Sequence, residues 1–361
     1  METLRVEITD LARAGSGIAR DPSGRVLFVA LTVPGDVVQV RVIKAEKRYA
    51  EAEVVEMIKP STLRIKSKCE VFGQCGGCLW QMVPYYLQWK TKWEGGLHAL
   101  KKRGVEAQIP IDLFPAESTY GYRNRIQLRT EAGKVGFFAR RSHDLVPIQR
   151  CEVAQESLNG ALPTVSEKAS AAHRQKVELE ILPDGQVRQT WNAPHAAAGF
   201  RQVNEAQNQQ LRKWIARNLR SRGPLLDLFG GDANLSTLIA HQMASVEVVD
   251  LGVPSQKDSK LPEHLRFHRS PVRPWLGRAR IPAEAAILDP PRIGLADDFN
   301  SIESDLRRLG VREVIAVGCD VDSWARDIAY FLKKNWRLER IAFLDFFPQT
   351  PHFESAAHLF V

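Results

Sequence analysis

No stretch of the 361 residues approaches the run of about 20 apolar side chains that a membrane-spanning helix needs. The amino-terminal METLRVEITD has no apolar core of the kind a secretory signal requires. These two absences predict a cytoplasmic protein without a membrane partner. Low-complexity tracts and internal repeats are missing too, which excludes solenoid and low-complexity architectures. There is no G-x-G-x-x-G fingerprint and no flavin or nicotinamide motif, so dinucleotide redox chemistry has no support. Cysteine is scarce, at five residues, and in a cytoplasmic chain those few are not expected to form disulfides. Acidic residues are outnumbered, 42 Asp and Glu against 50 Lys and Arg, and the net charge of +8 favours a polyanionic partner.

The chain is long enough for two or three domains with buried cores. Its positive charge is unevenly placed. Residues 1–60 carry 9 Lys/Arg against 9 Asp/Glu, residues 61–195 carry 19 against 13, and residues 196–361 carry 22 against 20. The basic middle owes most to YRNRIQLR and FFARRSHDL, so the stretch Arg123 to Arg150 is expected to face phosphate, with a solvated surface as the alternative. In residues 1–60, VEITDLA, SGIAR, RVLFVA, DVVQVRVIKA and YAEAEVVEMI alternate or run apolar between turn-forming segments. Five short strands predict a small OB-like β-barrel, with Lys44, Lys47 and Arg48 at one connection and a linker at Lys59-Pro60-Ser61-Thr62.

CEVFGQCGGCLW follows. Cys69, Cys75 and Cys78 form C-x5-C-G-G-C, and Cys151 lies downstream in IQRCEV. Four cysteines so grouped predict a metal site, because zinc and iron–sulfur clusters both accept four thiolates. The spacing is not the two C-x2-C pairs of a usual zinc ribbon, and the paired glycines leave room for a bulky group, which favours iron–sulfur. Unmetallated thiols are the remaining alternative. Residues 84–103 read as a helical stretch interrupted at Gly95-Gly96, its Tyr85, Tyr86, Trp89 and Trp93 being core or a base-stacking stripe. Strands at RIQLRT and KVGFFAR come next, then a helix and a hairpin at Pro183-Asp184-Gly185.

From residue 196 strands and helices alternate, which predicts a doubly wound α/β sheet. VIAVG, residues 314–318, reads as a buried strand, with Cys319 at its carboxyl end and a helix starting behind it. That end of an α/β sheet is where chemistry collects, and a thiol there suits a nucleophile; a small buried apolar residue is the bland alternative. In DLFGGDANLS, Gly230 and Gly231 allow a tight turn at a helix start, and Asp250 closes the next strand where a ribose-binding acid sits. Asp289-Pro290-Pro291-Arg292 ends another strand on a stiff loop, and Glu354 precedes the last strand. A helix cap for Asp250, a structural turn for the prolines and a surface position for Glu354 are the competing readings.

Taken in order, FRQVN, DLFGGDANLS, DPPR, the Cys319 segment ending WARD, and FPQTPHFE resemble the RNA uracil-5-methyltransferases over nearly the whole chain. Residues 1–60 are similar to the TRAM domain of the ribosomal RNA members, C-x5-C-G-G-C with Cys151 to their [4Fe–4S] site, and YGYRNRIQLR with GFFARRSHDLVPI to their central domain. The resemblance implies an α/β protein with a TRAM barrel at 1–60, a central α+β domain at 61–195 and a Rossmann-like methyltransferase domain at 196–361. It implies Cys319 as nucleophile and Glu354 as base. Gln202, Phe229, Asn234, Asp250 and Asp289 would line an S-adenosylmethionine site, and Cys69, Cys75, Cys78 and Cys151 would hold the cluster. The implied product is 5-methyluridine, in ribosomal RNA of 23S type or else in transfer RNA, made by a monomer. A catalytically silent RNA-binding scaffold and an iron–sulfur redox enzyme are the rivals. The chain departs from the family pattern in having Ala233 where a glycine is usual, Asp250 for a longer Glu, and Gly318-Cys319-Asp320-Val321 for Ser-Cys-Asn-Pro. The segment after Asp250 is also short and lacks an Asn-rich stretch.

Overall fold

Alternating apolar residues in the first sixty positions build a curled sheet. In the computed structural model, which describes residues 3–106, 108–193, 202–252 and 261–361, six strands form there rather than five. They are β1 (Thr3–Glu7), β2 (Asp10–Leu11), β3 (Gly17–Arg20), β4 (Val26–Val29), β5 (Val37–Ala45) and β6 (Tyr49–Lys59). Their order is β1-β5-β6-β4-β3-β2, with β4 and β6 parallel, so the sheet is a half-barrel with two edges rather than a closed barrel. Val6, Ile8, Leu27, Val29, Val38 and Val40 fill its concave side. The expected linker is pinned. Buried Asp36 accepts the Ser61 N–H at 2.8 Å and Arg64 Nη2 at 2.6 Å, which ties residues 61–64 to the turn before β5.

Helix α1 (Tyr85–Lys102) follows, then β7 (Ile111–Phe114). A five-stranded antiparallel sheet comes next: β8 (Arg125–Glu131), β9 (Lys134–Phe138), β10 (Leu145–Pro147), β11 (Gln175–Ile181) and β12 (Val187–Trp191), ordered β10-β9-β8-β11-β12. Short helices α2 (Glu156–Gly160) and α3 (Leu162–Lys168) lie between β10 and β11. Leu128, Leu158, Val165 and Leu179 form the core of this part.

The remaining elements are α4 (Glu205–Asn218), β13 (Pro224–Leu228), β14 (Ser245–Asp250), β15 (Leu265–Arg269), α5 (Val272–Arg278), β16 (Ala285–Leu288), α6 (Phe299–Leu309), β17 (Glu313–Gly318), α7 (Val321–Lys333), β18 (Arg337–Leu344) and β19 (Glu354–Phe360). With β7 they make an eight-stranded sheet ordered β15-β14-β13-β16-β17-β19-β18-β7, in which β19 runs antiparallel to both neighbours. The chain leaves β13 outward to β14 and β15 and returns on the other side as β16. That reversal opens a crevice at the carboxyl ends of β13 and β16.

The chain divides into two compact units. One comprises residues 1–92, 118–193 and 347–351, and the other 93–117, 194–346 and 352–361. Among the described residues no helix is long and apolar enough to cross a membrane.

Helix α1 passes through Gly95-Gly96 without the expected break. Packing accounts for the glycine: a Cβ on residue 96 would stand 2.6 Å from the ring of Phe343, a fully buried residue of β18. Gly96→Ala should therefore destabilise the protein by about 1–3 kcal/mol through overpacking, although alanine favours the helix itself by roughly 1 kcal/mol. Urea denaturation tests this, and an unchanged midpoint would show that the Phe343 ring moves aside freely. Of the four aromatics Trp89 is buried, Tyr85 and Trp93 are half-buried and Tyr86 is exposed, so the series is neither wholly core nor an open stacking face.

Candidate active site

All six residues of β17 are buried, and the strand stops where Asp320 caps α7 by accepting the Ser323 N–H at 3.0 Å. Cys319 sits between strand and helix, half-buried. Strand β19 pairs antiparallel with β17, with Gly318 opposite Ser355, so the next residues outward, Cys319 and Glu354, are neighbouring chain positions. Glu354 is the first residue of β19 rather than a residue before it. It is only 3 % exposed, which removes the surface reading.

Acids gather around this pair. Asp289 follows β16, Asp250 ends β14, and Asp227 lies inside β13 with no exposed surface. Burial, then repulsion from Asp227 and Asp250, pushes the Asp289 carboxyl up to about 7. Asp227 rises to about 7 through burial, opposed by the Ser236 hydroxyl that donates to it at 2.5 Å. Glu354 is held well above the usual carboxylate range by burial and by Asp289, and the Cys319 thiol is pushed up to about 12 by burial, Glu354 and Asp289. Arg292 acts on both in the opposite direction. The crevice thus disfavours the charged forms of its thiol and buried carboxyls, and a cationic guest would relieve that penalty.

The loop after β13 differs from the expected strand–turn–helix. Phe229, Gly231 and Ala233 all take left-handed backbone angles, φ +61°, +55° and +68°, and the residues beyond form turns and a single 3-10 turn at Ala240–Gln242. Left-handed positions at every second residue interrupt the α-helical ladder before it can start. Ala233 stands in a conformation that glycine adopts freely and that costs an L-residue roughly 1–2 kcal/mol. The Gly231 N–H donates to Asp250 Oδ2 at 3.3 Å, so Asp250 fixes this loop instead of capping a helix. Asn234 exchanges two 2.9 Å amide hydrogen bonds with Asn208 of α4. Gln202 is buried just before α4, whose cap is Asn204; Phe200 and Arg201 of FRQVN and residues 253–260 lie outside the described residues.

Residues 1–55 match the TRAM domain model. An uncharacterised RNA methyltransferase of Bdellovibrio bacteriovorus is 31% identical over 99% of this chain and 94% of its own length. The chain belongs to the RNA uracil-5-methyltransferase family. It is also similar to a 23S rRNA (uracil(1939)-C(5))-methyltransferase of Pectobacterium atrosepticum, 25% identical over 99% of this chain and 93% of the relative. Its fold matches that of the Pyrococcus abyssi tRNA (uracil-54, C5)-methyltransferase solved with S-adenosyl-L-homocysteine, with TM-score 0.74 and 21% identity over 98% of this chain and 99% of that one.

Two features of this methyltransferase were hidden in its sequence. Asp227 reads as an interruption in an apolar strand, yet it underlies the loop after β13, accepting from the Ser236 hydroxyl. Helix α7 clasps the loop after β16: Asp327 accepts the Leu295 N–H at 2.7 Å, Arg326 donates to Ile293 O at 2.7 Å and Ser323 to Arg292 O at 2.7 Å. Gly294, at φ +69°, is required there, since its Cβ would lie 2.3 Å from Asp327 Oδ2. The spacing of Ser323, Arg326 and Asp327 on one helix face was the available signal, without an indication of its target.

In the other unit Cys69, Cys75, Cys78 and Cys151 line one cavity of about 260 Å³. Among the described residues no group of three or more His, Cys, Asp or Glu is gathered closely enough to hold a metal ion, so the expected cluster site is not shown as such. Backbone N–H groups nevertheless donate to the sulfurs. The Gly77 N–H donates to Cys75 Sγ at 3.4 Å, and backbone N–H groups of Val71 and Phe72 serve Cys69 while those of Val153 and Ala154 serve Cys151. Burial raises all four thiols, Cys78 to about 12. The basic stretch is less free than its composition suggested. Arg125 is buried against Glu178 at 2.7 Å, Arg141 pairs with Glu51 at 2.6 Å, and Arg150 with Glu156 at 2.8 Å. Much of that positive charge is therefore neutralised within the protein.

Proposed function

We propose that this methyltransferase forms 5-methyluridine with Cys319 as nucleophile and Glu354 as base. The observation that carries the reading is the β17–β19 register, whose last pair, Gly318 with Ser355, leaves Cys319 and Glu354 as neighbouring chain positions at the crevice. Uracil C5 is a weak nucleophile until sulfur adds at C6. Cys319 Sγ forms a bond to C6, and the displaced π electrons make C5 an enolate carbon that takes the methyl. Glu354 then removes the C5 proton, the electrons return to C5–C6, and the Sγ–C6 bond breaks to release the thiolate. The uridine must be unstacked for sulfur to reach C6. Arg292, which favours the charged forms of both groups, supports the thiolate and the carboxylate as each is needed.

When bound, S-adenosylmethionine supplies an electrophilic methyl on a sulfonium centre. The acid-lined crevice suits its positive charge, and Gln202, Phe229, Asn234, Asp250 and Asp289 would hold it. Because Glu354 must be ionised to act, the rate should rise with pH. Asp289→Asn removes a charge that raises Glu354, so the acidic limb of kcat should move to lower pH when cofactor is saturating, while the cofactor KM rises. An acidic limb at the wild-type position would separate Asp289 from the base.

Cys69, Cys75, Cys78 and Cys151 would hold a [4Fe–4S] cluster, whose chemistry there is to cross-link the segment around Cys75 to that around Cys151. We further assign RNA binding to residues 1–60 and 61–195 and catalysis to residues 196–361, in a cytoplasmic monomer. Ribosomal RNA of 23S type is the favoured substrate, supported by the likeness to the Pectobacterium enzyme over 99% of the chain; transfer RNA is the alternative, supported by the fold match. Mapping 5-methyluridine in ribosomal and transfer RNA from a deletion strain tests this. One missing 23S uridine methyl, restored by the wild-type gene, is the expected result, and unaltered RNA of both kinds would refute it.

A further inference from the structure

We infer that Arg123 is the resident counter-charge of the four-cysteine site and sets the reduction potential of a cluster held there. The inference rests on the cluster reading above. Arg123 lines the same cavity as the four cysteines. Its Nε is buried without a hydrogen-bond partner, where buried donors are ordinarily satisfied. Its backbone is fixed to the segment just after Cys151: the Arg123 N–H donates to Val153 O at 2.9 Å, and the Gln155 N–H donates to Arg123 O at 2.9 Å. The guanidinium lies 5.9 Å from the ring centres of both Tyr122 and Phe347, which shield it from water. Its charge acts on Cys78 and on Cys151.

An iron–sulfur core bound by four thiolates is anionic, and reduction makes it more so. A fixed cation in the cavity wall, with one N–H left unsatisfied, stabilises the reduced form in a medium of low dielectric constant. Arginine therefore holds the potential higher than a neutral residue would. Lysine would keep the charge but lose the planar fork.

The full chain is reconstituted anaerobically with iron and sulfide as wild type, Arg123→Gln and Arg123→Lys. Iron and acid-labile sulfide are counted, and the cluster is titrated with a redox dye series while the reduced form is followed by electron paramagnetic resonance. Arg123→Gln should make reduction at least tenfold less favourable, a shift of about 59 mV to lower potential for one electron, and Arg123→Lys should recover most of it. Equal potentials in all three at equal iron and sulfide would overturn the inference and leave the cluster reading standing. Wild type with zinc, or without labile sulfide, would overturn both. If Arg123→Gln fails to retain a cluster, retention by Arg123→Lys supports the charge role, and loss in both variants contradicts it.

Discussion

Cys319→Ala should abolish methyl transfer, lowering kcat by at least roughly 10⁴-fold, while leaving RNA and S-adenosylmethionine binding within a few fold of wild type. The size follows from the chemistry. Without sulfur addition C5 has no enolate character, and residues 196–361 contain no second cysteine to replace the thiol. The variant should fold normally, since Cys319 is only half-buried and the strand before it and the Asp320 cap after it are unaltered. Single-turnover assays with labelled cofactor measure the effect. A Cys319→Ala enzyme with a tenth or more of wild-type activity would remove the thiol from the reaction.

Glu354→Gln should fail at a later step. Glutamine preserves the volume and the neutral character that the buried position imposes, so addition and methyl transfer should proceed. Elimination should slow by roughly 10²–10⁴-fold for want of a base. The covalent protein–RNA species, transient in wild type, should then accumulate as a band resistant to denaturant. The variant should also be no less stable than wild type, because a buried carboxyl pressed by Asp289 is replaced by an uncharged amide. Loss of adduct and of turnover together would assign Glu354 to substrate binding instead.

Strand β17 was legible because its signal is local. A continuous apolar run, a terminal cysteine and an Asp cap lie within fourteen residues, and β17, Cys319 and α7 appear in that order. Glu354 was legible only by resemblance, because its burial arises from pairing with a strand forty residues earlier. The same physics hid the pairing of Arg125 with Glu178, 53 residues apart, and made the basic stretch look more exposed than it is. Strand β7, four residues between Pro110 and Pro115, is too short to carry a period and forms because β18 offers it an edge. At Gly95-Gly96 the composition signalled a break, whereas the requirement was room for the Phe343 ring. Beyond Gly231 the apolar spacing suggested a helix, but the left-handed positions at Phe229, Gly231 and Ala233 override it.

The central claim is that sulfur of Cys319 bonds to the pyrimidine. RNA carrying 5-fluorouridine, which has no C5 proton to lose, is incubated with wild-type enzyme and S-adenosylmethionine, denatured, digested with nuclease and protease, and mapped by mass spectrometry. A methylated fluorouridine fragment attached to the peptide containing Cys319 is the predicted result. Attachment to another residue, or unmodified Cys319 peptide from an enzyme that methylates ordinary RNA at full rate, would contradict it.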